Sequence, residues 1–514
     1  WANGGQPGVS SKNSATGPVS AHVFETPGTY TVTMTAFDGT NTKSTNTTIT
    51  IDDPNTVFAG ANTICVGATA LPTPGSNGCP VDAVATSTNN FAAAVNTYQN
   101  TNKRILFQKG DTFVASSTAT ITATGPGAIV AFGSGAKPLV TATAFTTYPA
   151  ILRIPTRDWR IMDIAFDGVN TTNSRALESS TPAPSQITVL RIEGTQLSFT
   201  LNMNGIDQLA IIDSSFTKGE ATAALNGTYG LYCQNCSKVA MLGSYSFVNP
   251  SQNSHNIRLQ GVNYFVISNN TLAGNQYSEP ITTRGNSQYG VESDNKFSDN
   301  RVTISPQNST AFENQQDILV ERNWFVGGPH TWGVLHIEGH AITARNNIFD
   351  LSNASGKRAI TIAHTSTVGS PMPDLINIYN NTFFNSAANN GNLGATWPFY
   401  FYATLDATCH SIIKNNLAYS PNTYNLTPAL IHVDTGGLCN ITGANGTHGN
   451  SSDAQIKTGP NPFVSATPST PSDFRLTSGS YGLDAGAVVK VFSDFFRNLR
   501  PQAGSYDMGA VEGL

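Results

Sequence analysis

The sequence predicts an all-β protein whose short strands recur in regular coils. Charged residues make up 11% of its 514 residues, against about 25% in ordinary globular proteins. Apolar and polar residues alternate over short stretches, which is the pattern of half-buried strands. One strand template also returns with a period near 25 residues. Three short strands in each such coil are the spacing of a right-handed parallel β-helix.

The first fifty residues predict a small antiparallel module. The stretch "TYTVTMTAF" alternates as a strand and follows a Pro-Gly turn. It resembles the closing half of a PKD-type immunoglobulin-like domain, and Trp1, Gly4 and Gly5 stand where that family carries its W-x-F-G-D-G segment. The resemblance implies a partial β-sandwich over residues 1–52. Its first strands are expected either upstream of this chain or from a neighbouring molecule.

The next segments predict a linker and a cap. Residues 53–85 are rich in Pro, Gly and Cys and are interpreted as a linker. The stretch 89–113, "NNFAAAVNTYQNTNKRILFQKGDTF", predicts a short helix followed by a strand, as in a cap over the open first coil of a solenoid. We therefore expect the β-helix with its cap over residues 86–470 and a closing segment over residues 471–514.

The repeat is explicit from about residue 150. "WRIMDIAFDG", "LAIIDSSFTKG", "FVISNNTLAGN" and "ITARNNIFDLS" share two alternating apolar residues, a polar pair that is often Asn-Asn, and a further strand start. Asn recurring at one turn predicts an amide ladder between coils. The turn residues of successive coils lie 26, 24, 29, 25 and 25 residues apart: Asn235, Gly261, Gly285, Asn314, Gly339 and His364.

These features resemble the right-handed parallel β-helix (pectate-lyase-like) superfamily of secreted bacterial proteins, over residues 85–514. The stretch "DFRLTSGSYGLDAGAVVKVFSDFFRNLRPQAGSYDMGAVEG" is similar to the closing segment of many such proteins, D-F-R-L…D-A-G…R-P…D-x-G-A-x-E. The resemblance implies a fold rather than a chemistry, because the superfamily includes lyases, hydrolases, phage tailspikes and adhesins.

Cysteine usage and charge bound the compartment and the partners. Six cysteines form three pairs that are close in sequence, which predicts disulfides and an oxidising compartment. The C-x-x-C pair has the alternatives of buried thiols, a redox pair or a zinc pair, although zinc normally takes four ligands. A net charge of −5 leaves no basic footprint for nucleic acid. No apolar run reaches the roughly 18 residues of a membrane span, and no signal peptide is recognised, so we expect a mature or trimmed secreted or cell-surface protein. The cysteine pairs are Cys65 with Cys79, Cys233 with Cys236, and Cys409 with Cys439.

The repeat also predicts which side chains share the outward face of the β-helix. In the stretch from Leu335 to Gly339 the apolar residues alternate, so His336 and Glu338 face away from the core. Aligning the coils on their turn residues gives two outward columns, with neighbours about 4.8 Å apart. The first column is Tyr232, Arg258, Thr282, Ala311, His336 and Thr361. The second column is Gln234, Gln260, Arg284, Glu313, Glu338 and Ala363.

Ionisable groups are concentrated on this patch. In a chain with 11% charged residues, the clustering favours a functional site over a solvated face with ion pairs. Adjacent glutamates would repel, which either lowers stability or raises the pKa of one carboxyl, and a raised pKa is a site signature. The groups in the columns are Arg258, Arg284, Glu313, His336 and Glu338. Those at the margins are His255, His330, His340, Glu321, Arg322 and Arg345.

The preferred function is cleavage of an extracellular uronic-acid polysaccharide by β-elimination. Arg258 and Arg284 would hold the sugar carboxylate, and a base would take the C5 proton. His336 is the first candidate for that base and His255 the second, with Glu338 orienting the imidazole. The residues expected to contact an extended glycan are His255, Gln260, Tyr232, His340 and Arg345.

Two alternatives stay open. The second in order is a non-enzymatic adhesive or self-assembling surface protein, whose incomplete sandwich accepts a strand from a neighbouring subunit. The third is a glycoside hydrolase that uses Glu313 and Glu338, because adjacent coils would set the carboxyls at the roughly 5 Å of a retaining enzyme. Gly339-His340-Ala341 resembles the G-H-G motif of polygalacturonases, but the aspartate motifs of that family are missing.

Metal binding at the patch is a further alternative. His336, Glu338 and His340 alternate along a strand, where successive outward side chains lie about 6.7 Å apart, which is wide for one zinc ion. Calcium between coils, as in pectate lyases, would require several carboxylates, and only Glu313 and Glu338 stand together. The sequence therefore predicts no certain cofactor and leaves calcium open.

Overall fold

The computed structural model comprises two compact units, residues 20–225 (the N-terminal unit) and residues 1–19 together with 226–514 (the C-terminal unit). Each coil carries up to three strands, named first, second and third in chain order, and equivalent strands of successive coils pair in parallel as the first, second and third face. Trp1, Gly4, Gly5, Ala311 and His330 lie outside the described residues. The structure describes residues 14–142, 150–169, 174–179, 184–217, 228–248, 254–274, 279–298, 301–305, 313–327, 333–352, 358–365, 370–386, 397–421, 431–434, 436–442, 454–457, 460–502 and 504–513.

The N-terminal unit contains an antiparallel hairpin. Strands Gly28–Phe37 and Thr42–Ile51 pair along their whole length. Alternation places Val32 and Met34 on one face of the ribbon and threonines on the other, and both apolar side chains are exposed. In the described part of the chain this sheet consists of the two strands alone, so the predicted antiparallel module is confirmed as a hairpin.

The β-helix begins earlier than expected. Thr63–Gly67 pairs in parallel with Val84–Ser87 and with Lys103–Gln108, so the stretch interpreted as a linker (53–85) already belongs to the second face. The linker interpretation was based on composition, and it was wrong because the Pro-rich and Gly-rich stretch contains a buried strand of only five residues. The helix Phe91–Tyr98, capped by the Asn90 side chain, confirms the predicted helical segment.

The remaining elements of the N-terminal unit complete its coils. Short helices are Pro54–Val57 and the 3-10 turn Gly60–Asn62. First-face strands are Ala119–Thr120, Ala150–Arg153, Arg175–Glu178 and Phe199–Asn204. Further second-face strands are Gly127–Phe132, Arg157–Met162, Ser185–Leu190 and Asp207–Ile212. Third-face strands are Thr112–Val114, Leu139–Thr141, Ala165–Asp167, Glu193–Thr195 and Ser215–Thr217.

The C-terminal unit repeats this arrangement and confirms the parallel β-helix. First-face strands are Tyr229–Gln234, His255–Gln260, Glu279–Arg284, Val302–Ile304, Leu335–Ile337, Arg358–Ile362, Trp397–Phe401 and Ile431–Val433. Second-face strands are Ser237–Leu242, Asn263–Ser268, Gln288–Ser293, Gln316–Glu321, His340–Arg345, Ile376–Tyr379, His410–Lys414 and Asn440–Thr442. Third-face strands are Tyr245–Val248, Thr271–Gly274, Lys296–Ser298, Trp324–Val326, Ile348–Asp350, Thr382–Phe384, Asn416–Tyr419 and Ala454–Lys457.

Two stacks of side chains fix the register inside this unit. Each asparagine of a buried ladder donates from Nδ2 to Oδ1 of the next at 3.0–3.1 Å, which confirms the predicted amide ladder. Phenylalanine rings stack nearby with centroids 4.8, 4.5 and 5.0 Å apart. Because a slip of one residue would bury a polar group against the rings, both stacks specify a single register. The ladder is Asn270, Asn295, Asn323, Asn347, Asn381 and Asn416, and the ring stack is Phe297, Phe325, Phe349 and Phe383.

The C-terminal segment 460–513, which contains the 3-10 turn Pro471–Phe474, runs along the corner between the second and third faces. Asn346, Asn380 and Asn415 occupy equivalent corner positions with φ of 53°, 50° and 57°. Their Nδ2 groups donate to the carbonyls of Ser493 (2.7 Å), Asp507 (2.9 Å) and Ala487 (2.7 Å). The segment therefore closes the side of several coils.

All three predicted cysteine pairs are disulfides. Cys233 and Cys236 bridge the corner between a first-face and a second-face strand, so the C-x-x-C spacing serves as a local disulfide. Both of these cysteines are buried. The other bridges are Cys65–Cys79 and Cys409–Cys439.

Candidate functional site

The first face of the C-terminal unit carries a continuous outward column. The pairing register confirms most of the predicted members but places Thr303, rather than Ala311, between Thr282 and His336. The prediction was wrong there because it assumed that the first-face strand leads directly into the Asn314 turn. The strand ends at Ile304, and an insertion separates it from the next strand. The column is Tyr232, Arg258, Thr282, Thr303, His336, Thr361, Tyr400 and His432.

The second predicted column changes in the same coil. Gln234, Gln260 and Arg284 follow one another as expected. Ile304 pairs with Ile337, so the residue that precedes Glu338 in this column is Ser305. Glu313 belongs to the insertion, where its Oε2 accepts from the Gly285 amide at 3.2 Å. The predicted pair of successive glutamates, Glu313 and Glu338, is therefore wrong.

The sequence analysis missed a third outward column. This column contains Glu279, a carboxylate that contacts two arginines. Tyr229, His255 and Glu279 pair in register at the start of their strands. Glu279 is buried, and its Oε1 accepts from Arg301 Nε at 3.1 Å and from Thr303 Oγ1 at 3.0 Å. Its Oε2 lies 3.7 Å from Arg284 Nη2.

Glu279 is ionised in this environment. Burial alone would raise the pKa of its carboxyl, but Arg301, His255 and Arg284 outweigh burial and hold that pKa well below its usual range. The anion thus lies among cations and hydroxyl donors within the outward face. One of its neighbours, Thr282, also contacts the imidazole of His255.

A chain of hydrogen bonds links Glu279 to His255 through Thr282. The Thr282 hydroxyl donates its single proton to Glu279 Oε2 at 2.5 Å. His255 Nδ1 lies 2.8 Å from the same hydroxyl oxygen, so Nδ1 carries the proton that this contact requires. In the neutral ring, Nε2 is then the basic nitrogen, and it has no hydrogen-bond partner among the described residues.

His255 is neutral near pH 7. Burial lowers the pKa of its imidazole to about 4, although the Glu279 carboxylate opposes the shift. The ring stacks on Tyr229 with centroids 5.3 Å apart. The structure therefore places a neutral imidazole of defined tautomer on the outward face, three residues before Arg258.

Arg258 is a partly buried cation beside two phenols. Its guanidinium lies 5.4 Å from the centroid of the Tyr232 ring, and Nη1 donates to Tyr229 Oη at 3.4 Å. No carboxylate of the described residues forms an ion pair with it. Tyr232 Oη donates to Gln260 Oε1 at 3.0 Å, and burial raises the pKa of Tyr232, which keeps the phenol protonated. The structure brings the predicted residues Arg258, Tyr232 and Gln260 together, and it adds Tyr229, which was not predicted.

His336 and Glu338 form a separate buried pair. His336 Nε2 lies 2.5 Å from Glu338 Oε1, and the Thr365 amide donates to Glu338 Oε2 at 2.8 Å. Burial would raise the pKa of Glu338, but the hydrogen bonds of His336 and Thr365 outweigh burial and lower it. The sequence left open that the pKa of one of two adjacent glutamates is raised, and for Glu338 the pKa is lowered. His336 retains 4% of its surface and His255 retains 8%, so both imidazoles are buried although they point outward.

Two predicted contact residues lie away from this patch. His340 opens a second-face strand and pairs with Gln316. Arg345 ends that strand, where Nε donates to Glu321 Oε2 at 2.8 Å and Nη1 donates to the Lys490 carbonyl at 3.1 Å. Arg345 therefore stabilises the corner beneath the C-terminal segment.

The described residues of the patch do not assemble a set of metal ligands. Within the described residues, no three His, Cys, Asp or Glu side chains are grouped so as to hold a metal ion. Calcium, which the sequence left open, would require several carboxylates, and the described part of the chain does not group them at the patch. No helix in the described part of the chain is long and apolar enough to cross a membrane.

Comparison with known proteins identifies one domain in this chain and several solved structures of low sequence identity. The PKD domain family matches residues 4–51, and no curated protein matches the chain. A mannuronic acid specific polysaccharide family 6 lyase from human gut microbiota is 11% identical with a TM-score of 0.44, over 69% of this chain and 84% of that chain. Pectate lyase Pel9A is 13% identical with a TM-score of 0.35, over 89% and 98%. The GH136 lacto-N-biosidase from Eubacterium ramulus is 11% identical with a TM-score of 0.39, over 77% and 68%.

Proposed function

We propose that this chain is an extracellular carbohydrate-active protein that binds an acidic polysaccharide along its first face and cleaves it by β-elimination. The observation that supports it most is the hydrogen-bond chain from Glu279 through Thr282 to His255. These hydrogen bonds leave Nε2 of His255 as a basic nitrogen without a partner among the described residues, near Arg258. The three disulfides and the PKD match are consistent with an extracellular location.

The proposed reaction assigns one step to each group. Arg258, assisted by Arg284, pairs with the carboxylate of a uronic acid and stabilises the negative charge that develops on it. His255 Nε2 takes the C5 proton, the C4–O4 bond breaks, and the C4–C5 double bond forms. Tyr232, whose phenol is protonated, donates its proton to the departing O4. Water then exchanges the protons of His255 and Tyr232.

His336, the first candidate from the sequence, receives a supporting role in this proposal. Its Nε2 is engaged by Glu338, whereas Nε2 of His255, which is also buried, has no hydrogen-bond partner among the described residues. We assign the His336–Glu338 pair to holding the outward face in the coil that follows Thr303. Glu279, which acts on His255 through Thr282, is a positioning residue.

The test compares base candidates on defined substrates. Purified protein is incubated with alginate, pectate, hyaluronan and glucuronan while the ultraviolet absorbance of the unsaturated uronate product is followed. We expect product with the parent chain and with His410→Ala, whose imidazole is more than half exposed on the second face. His255→Ala should abolish it. Activity that survives in His255→Ala but is lost in His336→Ala would reassign the base.

One observation favours the non-enzymatic alternative. Glu279 is compensated internally by Arg284 and Arg301, as expected of a face that serves stability alone. In that case the glycans would bind without unsaturated product and without new reducing ends. New reducing ends without the absorbance change would instead indicate hydrolysis.

A further inference from the structure

A second arginine on the first face lies between aromatic rings. Arg358 opens the strand Arg358–Ile362, and its guanidinium lies 3.4 Å from the centroid of the Tyr400 ring and 5.1 Å from that of Tyr402. Nη1 also donates to Tyr402 Oη at 2.6 Å. The side chain is therefore held in one position and partly exposed.

The charge of Arg358 is not paired within the described residues, where no carboxylate forms an ion pair with it. The nearby acid, Asp434, accepts from Tyr400 Oη and lies 3.1 Å from His432 Nε2. The His432 ring stacks on Tyr400 with centroids 4.7 Å apart. Asp434 is thus engaged with two other groups. The planar guanidinium of Arg358 has N–H donors beyond the Nη1 bond to Tyr402, and such donors suit a carboxylate.

The arrangement repeats the one at Arg258. There, too, a guanidinium lies against one tyrosine and donates to the hydroxyl of a second, Tyr232 and Tyr229 respectively. The two arginines stand on strands of the same face that are four coil steps apart. At about 4.8 Å a step, the strands are roughly 19 Å apart along the coil axis. One extended glycan chain of several sugar units would reach both.

We propose that Arg358, with Tyr402 and His432, forms a second subsite that binds a carboxylate of the same acidic glycan several sugar units away from Arg258. This inference rests on the proposed function of the first face. Its consequence is a minimum length for tight binding. A short oligouronate occupies one arginine, whereas a polymer occupies both and gains affinity from the second contact.

The experiment measures binding of short oligouronates and of the parent polyuronate by isothermal titration calorimetry. The variants are Arg358→Gln, Arg358→Lys and, as a control with the same change of charge, Lys238→Gln, an exposed position on the second face. Arg358→Gln should weaken polymer binding about tenfold, as expected for the loss of one charge-assisted contact. Binding of oligomers too short to span both arginines should change less than twofold at the Arg258 site. Polymer and oligomers are both titrated in a His255→Ala background to prevent cleavage. Arg358→Lys should fall between, because it keeps the charge without the planar fork.

The outcomes separate the two proposals. Polymer binding that is the same in Arg358→Gln and the parent chain overturns the second subsite and leaves the proposed function standing. An equal loss for short and long ligands also overturns it. If the parent chain binds no acidic polymer, the proposed function fails and the second subsite fails with it. Unchanged thermal unfolding in Arg358→Gln excludes a folding defect as the cause of weaker binding.

Discussion

The hydroxyl of Thr282 donates to Glu279 Oε2 at 2.5 Å and also lies 2.8 Å from Nδ1 of His255. One buried threonine thereby connects a carboxylate to an imidazole on the neighbouring strand through two hydrogen bonds. The contact sets which ring nitrogen carries the proton, and it does so without direct exposure of Glu279 to the glycan.

Replacement of this threonine by an isosteric residue tests the link. Thr282→Val should leave the protein folded but release the His255 tautomer, because the hydroxyl that accepts from Nδ1 is gone. We expect the turnover number on a uronate polymer to fall about tenfold or more, with a smaller change in KM. Nitrogen NMR of the imidazole should report a mixture of tautomers. A single unchanged tautomer in the variant would contradict the assignment.

Removal of the buried charge should be far more costly than removal of an exposed one. Glu279→Gln leaves Arg301 and Arg284 without their buried partner, and we expect the free energy of unfolding to fall by about 3–5 kcal/mol. Glu193→Gln, which removes an exposed partner of Lys137, should cost less than about 1 kcal/mol. Urea denaturation of both variants gives the comparison. Equal losses would show that the Glu279 cluster is hydrated like a surface pair.

A carboxyl inside the coil should make stability depend on pH. Glu292 is fully buried, its Oε1 accepts from Thr283 Oγ1 at 2.8 Å, and its Oε2 has no hydrogen-bond partner among the residues that the structure describes. Burial raises its pKa to about 7, from 4.5. Because the folded pKa lies above the unfolded one, the protein loses stability as the pH rises from about 4.5 through 7.

Glu292→Gln should remove this dependence. The variant should be more stable than the parent chain by about 3 kcal/mol at pH 8, at about 1.4 kcal/mol for each pH unit between the two pKa values, and equally stable near pH 4. Unfolding by urea across this range measures both. An unchanged pH slope in the variant would place the titration elsewhere.

The asparagine ladder should be a local requirement for folding. Asn323 Oδ1 accepts from the backbone and side-chain nitrogens of Asn295 at 3.0 Å, and Nδ2 donates to the Glu292 carbonyl at 2.8 Å and to Asn347 Oδ1 at 3.1 Å. Asn323→Ala leaves these buried groups unsatisfied, so we expect a loss of about 3 kcal/mol or more.

The matched control for the ladder is Asn377→Ala, a partly exposed side chain whose Oδ1 accepts from Tyr379 Oη at 2.8 Å and whose Nδ2 donates to the Leu375 carbonyl at 3.3 Å, where water can replace both bonds. It should cost less than about 1 kcal/mol. Thermal unfolding and amide hydrogen exchange of both variants provide the measurement. Loss of protection confined to the coils next to Asn323 would support the ladder as a local restraint.

Strand alternation was sufficient to predict most of the outward column. Tyr232, Arg258 and His336 follow directly from the apolar periodicity, since each lies between inward-facing residues. The register failed between Thr282 and His336, where an insertion follows a strand of only three residues. A fixed sequence period does not tell whether an insertion comes before or after a strand.

Glu279 could not be found by the same reasoning. Two buried residues, Pro280 and Ile281, separate it from the outward Thr282, so strict alternation breaks before it. Its importance also depends on Arg301, which is distant in sequence from the strand that it contacts. Only the pairing of successive coils brings the two together.

The bonds of Asn346, Asn380 and Asn415 to the C-terminal segment join residues 147, 127 and 72 positions apart. Such remote partners give this corner a high contact order, which slows its closure relative to local pairing. The coils around Asn346 and Asn380 therefore complete their packing only after the chain has been synthesised past residue 507. In a chain still bound to the ribosome, or in one that ends before this segment, the corner at these asparagines would be exposed to chaperones and proteases. The coils therefore need the segment that contains Ser493 and Asp507 to complete their packing.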